Sequence, residues 1–391
     1  MILHDFIHFP ARDPKEGHRS ATPLELMFDL ASVIAIAAAA HGLAHAVEGA
    51  HSLQGIIGFL CSFFMIWLAW MNYTWFASAY DDDSTAFRIL TMVIMFGALM
   101  LAAGINAVFA NERIWLALLG FVVMRLGMAV FWLGAARAHL ERRKTALRYA
   151  AGIVAMQVYW VALVVFVPPT AAMYLPLFIV GAAGELFVPV FAERHGTTGW
   201  HRHHMIERYG LLNIIVLGET FIAITAMIQI NDGSAFPDPA LLWLAVLSAV
   251  ISFSLWGLYF TDEDHLSGDE MGHALLWGYG HFVLFAAGAA TGAGMLVMLQ
   301  VVDHSAHVEL RVAVLATAIP IAVYVGTLWL IRDRLHLDGA WQWTLPVIAG
   351  TILLIGFAAP QMALELIAVL LVLTALVRRR LTLQQKEMSH D

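Results

Sequence analysis

The run from Ala86 to Val108 reads AFRILTMVIMFGALMLAAGINAV, and after Arg88 it holds no charged side chain for 20 residues. A helix rises about 1.5 Å per residue, so such a run covers the roughly 30 Å hydrocarbon layer of a bilayer. Its apolar residues are continuous rather than alternating, which excludes a barrel strand with one polar face. Cutting the chain wherever polar or Pro/Gly-rich residues interrupt such runs gives twelve of them. They lie at 24–45, 52–77, 86–108, 113–135, 146–166, 171–192, 207–229, 239–261, 272–301, 309–331, 341–358 and 360–377. The last two are short and separated only by Ala358-Ala359-Pro360, so a re-entrant pair is the alternative to two full spans.

The composition agrees. Of 391 residues 61% are hydrophobic and 13% charged, against roughly 45–50% and 25% in soluble globular chains. With 21 Lys+Arg and 29 Asp+Glu, and a mean hydropathy of +0.76, the excess apolar surface must face lipid. An ordinary soluble enzyme is excluded. The single cysteine, Cys61, cannot form an intrachain disulfide. A net charge of -8 argues against nucleic acid. The chain has no P-loop, Rossmann glycine pattern, His-Glu-x-x-His or Cys-x-x-Cys, so no cofactor is expected. The first 23 residues carry Asp5, Arg12, Asp13, Lys15, Glu16 and Arg19, and the run after them lacks a clear cleavage site. They are read as a retained segment.

Lys and Arg concentrate near helix ends on the cytoplasmic side of membrane proteins. With twelve spans, 18 of the 21 fall in the even-numbered loops and the two termini, Arg113 and Arg311 fall on the other side, and Arg125 lies inside a span. Both termini are therefore expected in the cytoplasm.

The two halves resemble each other. Trp70-Met71-Asn72-Tyr73 leads to Asp81-Asp82-Asp83, and Trp256-Gly257-Leu258-Tyr259 leads to Asp262-Glu263-Asp264. Ala102-Ala103-Gly104 and Ala286-Ala287-Gly288 follow at similar distances. The fold expected is all-α, a polytopic membrane helix bundle of two six-helix repeats in parallel orientation. Its parts are an N-terminal segment (1–23), a first half (24–192), a cytoplasmic linker (193–206), a second half (207–377) and a basic tail (378–391). Gly288 and Gly292, with Ala286, Ala290 and Gly294, predict a tight helix contact for the ninth span. Trp67, Trp70, Trp75, Trp341 and Trp343 read as interfacial belts and packing.

An ionisable residue inside a span costs about 2.5–3.5 kcal/mol on insertion scales, which marks it as a functional candidate. From the cytoplasmic ends of their spans, Asp29 lies about 8 Å deep, Glu185 about 10 Å, His281 about 15 Å, and Glu219 and Arg125 about 18 Å. Glu25 sits at the rim, four residues before Asp29 and on the same helical face. Four carboxylates facing one guanidinium leave a formal charge of -3, so protons or bound cations are expected to supply the balance. The alternative is that Arg125 clamps one or two of the acids while Glu25 sits in interfacial water, which leaves Glu219 without a partner. A second cluster, His41, His45 and Glu48, occupies one face at the outer end of the first span. It suits a metal, or a proton relay with His51 or with Asp303, His304 and His307, or is a wet helix end. The stretch from Glu193 to His204 is read as a topology anchor.

Arg12-Asp13-Pro14, Glu16, His18-Arg19 and Ala21-Thr22-Pro23-Leu24-Glu25-Leu26-Met27-Phe28-Asp29-Leu30 resemble the opening of the bacterial low temperature requirement A family. Gly184-Glu185-Leu186, Glu207-Arg208-Tyr209-Gly210-Leu211 and Leu217-Gly218-Glu219 are similar to that family as well, and Met27 stands where the family has a second Phe. The resemblance implies a multi-pass protein of the bacterial inner membrane, named for growth in the cold rather than for a reaction. The leading expectation is a transporter or channel for a cation or proton, with or without a small solute, using Glu25, Asp29, Arg125, Glu185, Glu219 and His281. A membrane enzyme acting on a lipid or lipid carrier, and a non-catalytic stress-response protein, are the alternatives. The partners expected are the bilayer, the cation or proton, the solute and a second copy of the chain.

Overall fold

The computed structural model describes residues 7–13, 16–17, 19–229, 236, 238–261, 266, 271–305, 308–337 and 339–388. The acidic loop Asp262-Glu263-Asp264, His307 and, in the N-terminal segment, Pro14, Lys15 and His18 lie outside them. Among the described residues every regular element is helical, and twelve helices are long and apolar enough to cross a membrane. They are α1 (Pro23–Glu48), α2 (Ser52–Tyr80), α3 (Thr85–Phe109), α4 (Trp115–Ala138), α5 (Arg143–Phe166) and α6 (Tyr174–Glu193). Then follow α7 (Arg202–Met227), α8 (Pro239–Phe260), α9 (Met271–Val302), α10 (Leu310–Leu328), α11 (Thr344–Ala358) and α12 (Ala363–Met388).

The boundaries correct the sequence reading in three places. Helix α7 begins at Arg202, five residues before the expected 207, and so takes up the end of the expected linker. A 3-10 turn, Gly339–Trp343, extends α11 to a 20-residue span, and α12 continues past the expected 377. Both final helices are therefore long enough to cross. A π turn, Trp329–Asp333, continues α10.

The chain forms two compact units, residues 1–42 with 57–208 and residues 43–56 with 209–391. In the first, α3 packs on α4, α4 on α5 and α5 on α6. Lipid offers no hydrophobic drive between helices, so close backbone approach supplies the attraction. A Cβ on Gly104 would stand 2.3 Å from the Ala117 nitrogen, and one on Gly120 would stand 2.5 Å from the Gly97 carbonyl oxygen. The N-terminal segment is held here too, because Phe9 is buried with its ring centroid 5.2 Å from Phe131 and 5.9 Å from Phe87.

In the second unit α9 packs on α10, α10 on α11 and α8 on α12. The tight contact expected for the ninth span is present. A Cβ on Gly294 would meet the Ala316 carbonyl oxygen at 2.3 Å, and one on Gly292 would meet the Glu219 backbone at 2.7 Å. On α1 the acid faces inward: Asp29 is 2% exposed, while the next residue, Leu30, is 63% exposed.

Candidate functional site

In the first unit the helix start Thr22-Pro23-Leu24-Glu25 folds as a capping box. The Glu25 amide donates to Thr22 Oγ1 at 3.2 Å, and Glu25 Oε2 accepts from the Thr22 amide at 2.8 Å, which satisfies two otherwise orphaned donors. Glu25 Oε1 lies 2.9 Å from His204 Nε2 and 3.6 Å from Arg19 Nη2. One turn further, Asp29 accepts from Arg208 Nη1 at 2.5 Å, Arg208 Nη2 at 2.7 Å and Trp70 Nε1 at 2.7 Å. Two acids four residues apart on α1 thus meet two bases four residues apart on α7. The rungs follow in the same order, so the two helix starts run parallel. All four side chains are buried.

A second buried pair joins α4 and α6. Arg125 Nη2 donates to Glu185 Oε2 at 2.5 Å, and Glu185 Oε1 accepts from Trp160 Nε1 at 3.1 Å and Gln157 Nε2 at 3.2 Å. Three buried carboxylates therefore face three guanidiniums, Arg19, Arg125 and Arg208, with His204 beside them. The expected surplus of -3 does not arise in this unit, because Arg19 and Arg208 point into the bundle instead of into the loops. Trp70 is likewise a buried donor rather than part of an interfacial belt.

The N-terminal segment closes the end of α2. Arg19 donates to the Ser78 and Ala77 carbonyls at 2.5 and 2.9 Å, and Arg12 donates to the Asp81 carbonyl through Nη1 and to the Ala79 carbonyl through its amide, both at 2.9 Å. The Ser78 and Ala79 carbonyls are among those that a helix end leaves without partners. Just past α2, burial pushes the Asp81 carboxyl up to about 6. The Arg12 guanidinium instead holds Glu16 below the usual carboxylate range.

Glu219 and His281 belong to the second unit. His281 Nδ1 donates to the Trp277 carbonyl at 2.7 Å, which leaves Nε2 to accept from Tyr259 Oη at 3.1 Å. Both ring nitrogens are thus engaged. Glu219 is 3% exposed, and its Oε1 has no hydrogen-bond or ion-pair partner among the described residues. Beside it on α7, Thr220 Oγ1 lies 2.7 Å from Ser252 Oγ, and Asn213 Oδ1 accepts from Tyr324 Oη at 2.9 Å. A third buried ionic group, missed in the sequence, sits at the end of the π turn. Asp333 accepts from both Nη nitrogens of Arg378 at 2.7 Å and from Arg332 Nε at 2.8 Å, while Arg332 Nη1 caps the Leu258 carbonyl.

At the far end of α1, His45 Nδ1 lies 3.0 Å from Glu48 Oε2, and His41, His45 and His51 are exposed. Among the described residues no three His, Cys, Asp or Glu side chains gather as a metal would need.

The family model for the bacterial low temperature requirement A protein matches residues 20–378. An uncharacterized protein of Rhizobium meliloti (strain 1021) is 22% identical over 357 residues, which cover 85% of this chain and 81% of that protein. No solved structure gives a significant match.

Proposed function

Because the chain belongs to the bacterial low temperature requirement A family and is a multi-pass membrane protein, we propose that it is an inner-membrane transporter or channel for a proton or cation, in which Glu219 is the carrying group. The observation behind this reading is the contrast between Glu219 and every other buried acid of the candidate set. Glu25, Asp29 and Glu185 each have a basic partner, while Glu219 has none among the described residues. A carboxylate out of water with no cation beside it is stabilised by taking up a proton or a cation. Exchange of that proton or cation between the two sides would be transport. The paired acids then serve as the framework that fixes α1 on α7 and α4 on α6.

The pairing also favours the second reading, a non-catalytic membrane protein whose ion pairs hold the bundle together. Flux separates the two. In proteoliposomes the wild-type chain should dissipate an imposed proton or alkali-cation gradient, and Glu219→Gln should abolish that activity while the protein remains folded. Equal flux in wild type and Glu219→Gln would discard the role given to Glu219, and no flux in either would leave the framework reading.

A further inference from the structure

At the end of the first unit that carries Arg12 and Arg142, a cavity of about 350 Å³ is lined by Arg12, Tyr80, His139, Arg142, Thr197 and Gly199. That volume is at the lower end of the roughly 300–1,000 Å³ of small-molecule sites. The lining comes from four separate segments: the N-terminal strap, the end of α2, the α4–α5 turn and the loop before α7. We infer that this cavity binds a phosphate monoester group.

The donors argue for an anion with several oxygens. Arg142 is anchored through Nε, which donates to the Thr197 carbonyl at 2.9 Å, and neither Nη makes a hydrogen bond among the described residues, while the nearby Glu193 carboxylate interacts with its charge. A guanidinium fork of this kind matches phosphate bidentately. Arg12 is held by Glu16 and by the Asp81 carbonyl, so it is a fixed donor rather than a free charge. Tyr80 Oη lies 3.3 Å from His139 Nδ1. When that hydroxyl donates to Nδ1, the ring hydrogen sits on Nε2 and is available to a ligand. A carboxylate has two oxygens to offer these groups, whereas a phosphate monoester has three.

The loop geometry that places the fork is specific. Gly196 has φ +129°, a backbone conformation that residues with a side chain rarely adopt, and the Arg142 guanidinium lies beside its Cα. Thr145 Oγ1 fixes the Gly196 carbonyl at 2.9 Å. Arg143 and Lys144, exposed beside Arg142, raise the local anion concentration.

A soluble phosphate monoester and the head group of phosphatidic acid share this chemistry, and the test separates them. The full chain in phosphatidylcholine nanodiscs is titrated with glycerol 3-phosphate while its unfolding temperature is followed, and a second preparation contains phosphatidic acid. A saturable rise with glycerol 3-phosphate assigns the site to a soluble ligand, and a rise with phosphatidic acid alone assigns it to a lipid head group. In either case Arg142→Gln should weaken binding about tenfold or more, and Arg113→Gln, an exposed arginine at the opposite end of α4, should leave it unchanged. Should Arg142→Gln fail to fold, Arg142→Lys, which keeps the charge and loses the fork, has to weaken binding as well. No rise with either ligand, or a rise that the Arg142 variants retain in full, overturns the assignment.

Discussion

Arg208 grips Asp29 with both Nη nitrogens, at 2.5 and 2.7 Å, across the buried contact between α1 and α7. Both residues are withdrawn from solvent, so neither partner can be rehydrated in place once the other is lost. Removing one side of such a pair costs about 3–5 kcal/mol, while replacing both by apolar residues of similar volume is near neutral. Arg208→Met should therefore destabilise the protein strongly, and Asp29→Leu combined with Arg208→Met should recover most of the loss. Chemical unfolding of the two variants in the same detergent reads the difference, and additive losses would contradict the pairing.

Glu25 does two jobs, one as the reciprocal half of the capping box and one as the acceptor facing His204 and Arg19. Gln at this position keeps the capping geometry but not the charge. Glu25→Gln should thus lose less stability than Glu25→Ala, and the difference should be near the 1 kcal/mol or so of a helix cap. Thr22→Ala removes the other half of the box. It should cost about as much as that difference, measured as a shift in the unfolding midpoint.

The twelve helices were legible because 20 apolar residues in a row have few other uses. The ladder between α1 and α7 was not, for a definable reason. Hydropathy loses a helix once polar residues enter it, and His203, His204, Glu207 and Arg208 hide the first turns of α7. Starting that helix at Arg202 puts His204 and Arg208 on one face, matching Glu25 and Asp29. The Thr22-x-x-Glu25 signature was also present in the sequence and would have given Glu25, already read at the rim of the first span, its capping role. Counting Lys and Arg for orientation treated Arg19, Arg208, Arg332 and Arg378 as loop charges, but all four are buried and bonded. Glu219 was legible as an acid without a partner because its neighbours in sequence are all apolar or neutral.

Asp81, just beyond α2, is 2% exposed, and burial pushes its carboxyl from 3.8 up to about 6. The folded state therefore holds this proton over a pH range in which the unfolded chain has released it. From about pH 4 to pH 6 the folded state binds more protons, so this residue's contribution to stability falls as pH rises and is lowest above pH 6. Asp81→Asn keeps an oxygen to accept the Asp83 amide, now 2.9 Å away, and removes the titration. The variant should gain roughly 1–3 kcal/mol over wild type at pH 7 and little at pH 4. Unfolding of both proteins at the two pH values checks this, and a gain equal at both would rule out titration as its source.

Gly292 on α9 faces the backbone of Glu219 on α7, where an added Cβ would stand 2.7 Å from the Glu219 carbonyl carbon and 2.9 Å from its oxygen. Backbone cannot swing aside as a flexible side chain can, so the two helices must separate to admit even a methyl group. Gly292→Ala should cost about 1–3 kcal/mol, as overpacking does. Gly218 is the control because it precedes Glu219 in the same helix and has nothing within 4 Å of its Cβ position. Gly218→Ala should be neutral or stabilise by up to about 1 kcal/mol, since alanine is the better helix former. Opposite signs for the two substitutions would locate the constraint in the α7–α9 approach, and a shared sign would place it elsewhere. A Gly292→Ala protein that retains wild-type stability would mean that α9 does not rest on the Glu219 backbone at all.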